Sequence, residues 1–151
     1  MDRTFVLPMM STLALCVTGC TEGGKAADLI GEWKVTEYEY DGYVYKLPRE
    51  YSYRQRGETY TEIFGLLLEA KDGGRATFGY YYEYSSTGGY YERYGEYYAG
   101  DWEEEKGVFE FDFDDYELKM DCTLDEDDML CEGRSDGEDI VMELKRKKGK
   151  N

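Results

Sequence analysis

Strict alternation of apolar and polar residues is the feature that most constrains the fold of this chain. Phe109, Phe111 and Phe113 alternate with acidic residues, and the segments 116–124 and 140–144 repeat the pattern. Because successive side chains of a β-strand point to opposite faces, a period of two gives each strand one apolar face. No stretch carries a long apolar pattern at helical spacing. The chain is therefore predicted to be all-β.

Turn signals separate these segments at short intervals. Asp41-Gly42, Asp72-Gly73-Gly74, Lys106-Gly107 and Asp136-Gly137 are typical of hairpin turns. Strands joined in sequence order by tight turns form a meander, and closing that meander removes both exposed edges. We predict an antiparallel up-and-down β-barrel of about 8–10 strands over residues 29–147. An open two-layer sandwich is the alternative.

The start of the chain is predicted to lie outside the barrel. Thr4–Val17 is a mostly apolar run of 14 residues, which is shorter than the roughly 20 residues of a membrane-spanning helix. The run ends in Val17-Thr18-Gly19-Cys20, which resembles a bacterial lipobox, the motif whose cysteine receives lipid. An ordinary secretory leader and a buried N-terminal helix are the alternatives.

The lipobox implies a lipoprotein with a signal peptide over 1–19, a lipidated Cys20 and a polar, flexible tether over 20–28. A thioether-linked diacylglycerol with an N-acyl chain such as palmitate anchors a domain to a membrane, because two or more chains hold well. Thr21 stands where an Asp would retain such a protein in the inner membrane. The implied localisation is the bacterial cell envelope, at the outer membrane.

A second motif follows the tether. Gly31-Glu32-Trp33 resembles the first motif of the lipocalins and of the small lipocalin-like lipoproteins of bacteria. Asp115-Tyr116 is similar to the Asp-Tyr turn of the same family. In that family an arginine crosses the base of the barrel against the tryptophan, which implies this role for Arg146.

The resemblance implies that the barrel binds a small apolar or amphipathic molecule. The binding residues would be inward-facing side chains of the predicted strands, with a tryptophan closing the base. These residues are Trp33, Phe64, Leu66, Phe78, Tyr80, Tyr82, Phe109, Phe111 and Met120.

Tyrosine is unusually frequent, with 17 residues, nine of them between Tyr80 and Tyr98. Tyrosine suits strands and supplies ring area to a core, but it can also line an amphipathic pocket or form an outer platform. The alternative function is accordingly a filled barrel that acts as a protein- or glycan-interaction or inhibitor module. Its docking surface would be a Tyr-rich outer face at Tyr81, Tyr91 and Tyr97, or residues 48–57, which are predicted as a loop and possible lid.

Two cysteines remain in the predicted barrel. If Cys122 faces Cys131 across a hairpin, Leu124 must face Met129, since antiparallel partners keep a constant index sum. Disulfides persist outside the cytoplasm, and this one would close a loop of about ten residues, worth roughly 2–3 kcal/mol. Free thiols and a redox pair are the alternatives.

Composition excludes several function classes. The chain has no histidine, which removes Ser-His and Cys-His nucleophilic sites and the common zinc catalytic sets. The formal net charge of −16 argues against nucleic-acid binding. We expect no catalytic residues, no cofactor and a monomer.

Charged clusters are predicted to be structural. The acidic segments 112–115 and 125–128 are interpreted as solvated turns rather than calcium sites, because neither fits the EF-hand loop, and no metal is expected. The basic tail over 148–151 is interpreted as a solvated chain end. Contact with acidic lipid headgroups or with the domain's own carboxylates is its alternative.

Overall fold

The computed structural model describes residues 25–149, which form ten antiparallel strands, one short helix and one 3-10 turn. The strands are β1 (Gly31–Tyr40), β2 (Tyr43–Lys46), β3 (Arg49–Gln55), β4 (Glu58–Lys71), β5 (Arg75–Ser86), β6 (Tyr91–Glu105), β7 (Val108–Phe113), β8 (Leu118–Asp125), β9 (Asp128–Ser135) and β10 (Glu138–Arg146). Helix α1 spans Ala26–Leu29, and the 3-10 turn spans Asp114–Tyr116. Among these residues there is no helix of the length and apolar character needed to cross a membrane.

The strands close into a barrel. Consecutive strands from β4 to β10 pair in sequence order, and β10 then pairs with β1. Residues Gly31–Lys34 of β1 also pair with Leu67–Ala70 of β4, which joins the two ends of the sheet. Eight strands, β1 and β4–β10, therefore form the closed wall. The predicted antiparallel up-and-down barrel is confirmed.

A bulge in β1 keeps four of its large side chains inside. The register between β1 and β10 shifts between Val35 and Glu37, so Trp33 and Val35 face the core and Tyr38 and Tyr40 also pack against it. This slip follows from the sequence, since a strict alternation would point the two tyrosines outward. The bulged backbone is paired, because the Leu47 amide donates to the Thr36 carbonyl at 3.0 Å.

One end of the barrel, here called the lower end, is closed by Trp33. This side chain is fully buried, and its Nε1 donates to the Leu29 carbonyl at 2.8 Å. The Arg146 guanidinium lies 4.3 Å from the centre of the Trp33 ring, and its Nη1 donates to the Ile30 carbonyl at 3.1 Å. The predicted position of Arg146 across the base is confirmed. Gly31 has a φ of +136°, and a Cβ there would stand 3.3 Å from this guanidinium.

The described end of the predicted tether belongs to this base. Residues 26–28 form helix α1 with Leu29, whose side chain is fully buried. Residues 26–28 of the predicted tether are therefore helical, because burial of Leu29 holds the turn that precedes β1. The predicted signal peptide and Cys20 lie outside the described residues.

Cys122 and Cys131 form a disulfide with a Cα–Cα distance of 4.1 Å, and both are fully buried. Leu124 faces Met129 and Met120 faces Gly133, as the index-sum argument requires. The predicted bridge and its register are confirmed.

Residues 49–55 form strand β3, so the prediction of a loop over 48–57 is wrong. All seven residues of β3 are exposed, yet each pairs with β4, from Arg49 opposite Phe64 to Gln55 opposite Glu58. A strand that buries neither face needs no alternation of apolar and polar residues, so the sequence pattern does not predict β3. β6 is one continuous strand of 15 residues, and neighbouring backbones approach it closely at its two internal glycines, Gly95 and Gly100.

One wall of the barrel continues beyond the closed part. Of the long strand β6, only Asp101–Glu105 pair with β7. Of the long strand β4, only the C-terminal part pairs with β1. The remaining halves form a four-stranded sheet, here called the upper extension, made of β3 and residues 58–64, 80–86 and 91–96. β2 and β3 are the edge strands at the two ends of the ten-stranded order, and each pairs with a neighbour on one side only.

Candidate functional site

The barrel contains a cavity of about 350 Å³ at the end opposite Trp33, here called the upper cavity. Ten of its twelve lining residues come from the eight strands β1–β5 and β8–β10, and four of the twelve are tyrosines. The lining is Tyr38, Tyr40, Tyr45, Leu47, Arg49, Phe64, Leu66, Phe78, Tyr116, Leu118, Ser135 and Met142.

The floor of the upper cavity is apolar and well packed. Phe78, Leu118 and Met142 are 2%, 1% and 2% exposed, and the Phe78 ring lies 5.8 Å from that of Phe113. Below this level large side chains fill the barrel, since Phe109 and Phe111 are fully buried. The interior is thus packed in its lower half and hollow in its upper half.

Several polar groups also line this cavity. Burial, with a smaller contribution from Tyr116, raises the pKa of Tyr38 to about 12. Its hydroxyl, like that of an ordinary tyrosine, is neutral at pH 7, and it can both donate and accept a hydrogen bond. The Arg49 guanidinium lies 5.1 Å from the centre of the Tyr45 ring. The upper cavity thus combines an apolar floor with tyrosine hydroxyls and the Arg49 guanidinium.

The structure brings only some of the nine predicted ligand-binding residues to this cavity. Phe64, Leu66 and Phe78 line it. Tyr80 and Tyr82 lie on the same face but farther along the upper extension. The other four are fully or almost fully buried among core side chains, and they are Trp33, Phe109, Phe111 and Met120. Contact with a ligand stays a prediction for all nine.

Nine lining residues were not predicted as ligand contacts. The phase slip in β1 indicates that Tyr38 and Tyr40 face inward, and the alternation over 116–124 and 140–144 indicates the same for Tyr116, Leu118 and Met142. The other four depend on which strand ends meet when the barrel closes, and they are Tyr45, Leu47, Arg49 and Ser135.

A groove of about 390 Å³ runs along the inner face of the upper extension, here called the tyrosine groove. Its rings stack: Tyr53 lies 5.3 Å from Tyr60, and Tyr84 lies 5.9 Å from Tyr94. The groove is lined by Tyr53, Tyr60, Thr61, Glu62, Tyr84, Ser85, Tyr90, Glu92 and Tyr94.

Aromatic contacts join the groove to the upper cavity. Phe64 lines the cavity, and its ring lies 4.9 Å from that of Tyr82. Tyr82 in turn stacks on Tyr94 at 5.1 Å. A molecule that occupies both sites would therefore meet ring surface along its whole length.

Carboxylates alternate with the rings on this face. The Glu96 carboxylate accepts hydrogen bonds from Tyr80 at 2.6 Å and from Tyr98 at 3.2 Å, and this bond raises the pKa of Tyr80 to about 12. The hydrogen bond with Tyr94 likewise raises the pKa of Tyr84 to about 12, with burial and the charge of Glu62 adding to the shift. The raised pKa values keep the phenols of Tyr80 and Tyr84 protonated to higher pH than an ordinary tyrosine.

The predicted exposed patch at Tyr81, Tyr91 and Tyr97 does not form at Tyr81. Tyr91 and Tyr97 are exposed, but Tyr81 is 1% exposed because its ring lies over Gly65. The Arg93 guanidinium lies 4.9 Å from the centre of the Tyr81 ring. The outer wall thus exposes Tyr91 and Tyr97 but not Tyr81, while the stacked tyrosines lie on the inner face of the upper extension.

The charged clusters pair with each other. The Asp127 carboxylate accepts from Lys148 at 3.0 Å and lies 3.4 Å from Arg146, so Lys148 holds the pKa of Asp127 below its usual range. Lys147 pairs with Glu32. The described part of the basic tail thus contacts the domain's own carboxylates. Within residues 25–149, no group of three or more acidic or cysteine side chains is arranged to hold a metal ion.

A functional proposal for this protein rests on its fold and on the geometry described above. No protein-family model, no curated protein and no solved structure matches the chain.

Proposed function

We propose that the upper cavity binds one small amphipathic molecule, with its apolar part on the floor of the barrel. The observation that carries this proposal is a cavity of about 350 Å³ lined mostly by apolar and aromatic side chains. Small-molecule sites in proteins are typically clefts of roughly 300–1,000 Å³ with few polar groups. The volume suits a ligand with a short chain or one or two rings.

Desolvation of apolar surface would supply the driving force. Phe78, Leu118 and Met142 are buried within the barrel but face the cavity, so a ligand there gains contacts with a preformed wall. The neutral Tyr38 hydroxyl and the Arg49 guanidinium would fix the orientation of the polar end. Because the lower half is packed, the ligand would enter and leave at the upper end.

We also propose that the protein is a lipoprotein of the cell envelope, held by lipid on Cys20. This rests on the Val17–Cys20 sequence and its resemblance to a lipobox. The chain enters the barrel at the lower end, next to Trp33. An anchor at Cys20 would therefore leave the upper cavity directed away from the attachment point. Incorporation of an alkyne-tagged palmitate in cells, lost in Cys20→Ala, tests the anchor.

Binding to the purified domain tests the cavity, with the neutral fluorophore N-phenyl-1-naphthylamine as the probe. We expect saturable binding of one probe per chain. Leu66→Trp places an indole into the cavity lining and should weaken probe binding at least tenfold. Leu124→Trp is the matched control, because Leu124 is also a partly buried core residue but lies away from this cavity. Absence of one-to-one binding, or equal binding by both variants, would contradict the proposal.

A further inference from the structure

The tyrosine groove combines two features that recognise an organic cation. Its rings are exposed and stacked, with Tyr53 and Tyr94 38% and 48% exposed. An organic cation is attracted to the face of an aromatic ring, and several tyrosines around one position form the cage that recognises quaternary ammonium groups. Carboxylates between the rings add the complementary charge.

The positions of these carboxylates follow from the strand register. Glu62 of β4 lies opposite Tyr51 of β3 on one side and Tyr84 of β5 on the other. Glu92 of β6 lies opposite Tyr84 from the far side. One row across the four strands therefore reads tyrosine, glutamate, tyrosine, glutamate.

No lysine or arginine within residues 25–149 pairs with the carboxylates of this row. Among the described residues, neither Glu62 nor Glu92 lies within salt-bridge distance of a lysine or arginine. Arg54 and Arg93 occupy the opposite face by alternation, and Arg93 pairs there with Glu83 at 3.6 Å. Arg49 is on the inner face, but its guanidinium is over Tyr45 at the cavity mouth.

The protein already seats its own cations on aromatic rings. Arg49 lies over Tyr45, Arg93 over Tyr81 and Arg146 over Trp33, at 5.1, 4.9 and 4.3 Å from the ring centres. In the groove the rings and the negative charge are present without a cation from the described chain. A metal ion is a poorer occupant, because residues 25–149 contain no group of three or more candidate metal ligands.

We propose that the tyrosine groove binds the quaternary ammonium head of an amphiphile whose apolar chain occupies the upper cavity. This rests on the proposed function of that cavity and extends it by assigning the charge of the ligand. Phe64, Tyr82 and Tyr94 form the continuous ring surface along which the molecule would lie. The head group would contact Tyr53, Tyr60 and Tyr84, with Glu62 and Glu92 beside it.

Displacement of bound N-phenyl-1-naphthylamine by two octyl compounds tests this assignment. Octyltrimethylammonium carries the cationic head, and octyl β-glucoside carries the same chain with a neutral head. Both are used below their critical micelle concentrations at constant ionic strength. We expect octyltrimethylammonium to displace the probe at a concentration at least tenfold lower than the glucoside.

Paired variants separate the groove from the overall negative field of the protein. In Glu62→Gln/Glu92→Gln the tenfold preference should fall below threefold. Glu103→Gln/Glu132→Gln removes the same two charges at exposed positions outside the groove and should keep the preference. Each variant is compared by the ratio of the two octyl compounds, so a small change in probe affinity cancels.

The possible failures are distinct. If both octyl compounds displace the probe equally, the cation site is refuted while binding in the cavity stands. If the two paired variants lose the preference to the same extent, general electrostatics explains it and the groove assignment is refuted. If the probe itself does not bind, the proposed function of the cavity fails first.

Discussion

At the scale of single residues, Tyr81 explains why a strand of this acidic barrel tolerates a tyrosine on its outer wall without exposing it. Gly65 on the neighbouring strand leaves room for the ring, because a Cβ at residue 65 would stand 2.5 Å from the ring carbon and hydroxyl of Tyr81. Lys34 and Arg93 approach the ring at 5.8 and 4.9 Å. Gly65 therefore leaves the space that the Tyr81 ring occupies, and the Lys34 and Arg93 side chains cover the ring.

Gly65→Ala should displace the Tyr81 ring and lower the free energy of unfolding by about 1–2 kcal/mol, the usual cost of a small overpacking. Urea denaturation followed by circular dichroism measures this loss. In a Tyr81→Ala background the same substitution should cost less than about 0.5 kcal/mol, since the clash is gone. An equal cost in both backgrounds would show that Tyr81 is not the obstacle.

Arg146→Lys tests the base of the barrel at the same scale. Lysine keeps the charge but cannot donate in a planar fork to the Ile30 and Asp28 carbonyls while lying over Trp33. We expect a loss of about 1–2 kcal/mol in the free energy of unfolding. Lys145→Gln, which removes an exposed ion pair with Asp128, should stay within about 0.5 kcal/mol of the parent. A parent-like Arg146→Lys would mean that charge alone holds the base.

At the scale of elements, the β8–β9 hairpin is the part whose pairing is both predicted and covalently fixed. Its apolar side faces the core, with Met120, Cys122 and Cys131 buried, so a slip of one residue would turn these side chains outward. The disulfide and the hydrophobic face therefore select the same register. This agreement between two independent constraints made the hairpin predictable in detail.

Replacing both cysteines, as Cys122→Ala/Cys131→Ala, should lower the free energy of unfolding by roughly 2–3 kcal/mol, chiefly because the unfolded chain gains freedom. The fold should remain, since small apolar side chains still fill the positions. A lower urea midpoint measures the effect, and dithiothreitol should shift the parent but leave the double variant unchanged. A reductant-sensitive midpoint in the double variant would contradict the assignment.

Unlike the β8–β9 hairpin, β3 is not predictable from its own sequence, because no property of its residues identifies it as a strand. Its pairing is supplied by β4, a strand of 14 residues that extends past the point where β1 leaves it. The backbone N–H and C=O groups in the N-terminal part of β4 need hydrogen-bond partners. The segment that follows β2 supplies these partners as strand β3. Only the length of the neighbouring strand makes this segment regular.

At the scale of the whole molecule, the balance of charge and tyrosine sets how the protein responds to pH. The formal net charge is −16, and the pKa values of Tyr38, Tyr80 and Tyr84 are each raised to about 12. A raised pKa means that the folded protein keeps the phenol proton while the unfolded chain releases it near pH 10. The contribution of these groups to stability is complete below about pH 10 and is lost as pH rises toward 12.

Alkaline titration checks this expectation. Absorbance of phenolate near 295 nm should rise at higher pH in the native protein than in the protein unfolded by guanidinium chloride, and stability to urea should fall across the same interval. Tyr80→Phe/Tyr84→Phe should remove part of the late-titrating signal, because the Tyr80 hydroxyl donates to Glu96 and the Tyr84 hydroxyl shares a hydrogen bond with that of Tyr94. Superimposable native and denatured curves would contradict the raised pKa values.

The sequence by itself determined the fold class, the disulfide and the closed base. Alternation in β7 to β10 gives each of these strands one apolar face, and the Gly31-Glu32-Trp33 motif with Arg146 locates the residues that close the lower end. The fold class and the disulfide rest on local periodicity and on a pair with a fixed register, which a one-dimensional pattern can carry. The closed base rests instead on the resemblance of Gly31-Glu32-Trp33 and Arg146 to residues of a known family.

The tertiary structure alone decided where the interior is packed and where it is hollow. Phe109 and Phe78 both face inward with the same alternation, yet one is enclosed by packed side chains and the other forms the floor of the cavity. Which inward residues meet a ligand depends on how far each strand runs past its neighbours. How far each strand extends past its neighbours is set only when the sheet closes on itself. The pairing of β1 with β4 then leaves the upper halves of β4, β5 and β6 to form a separate face.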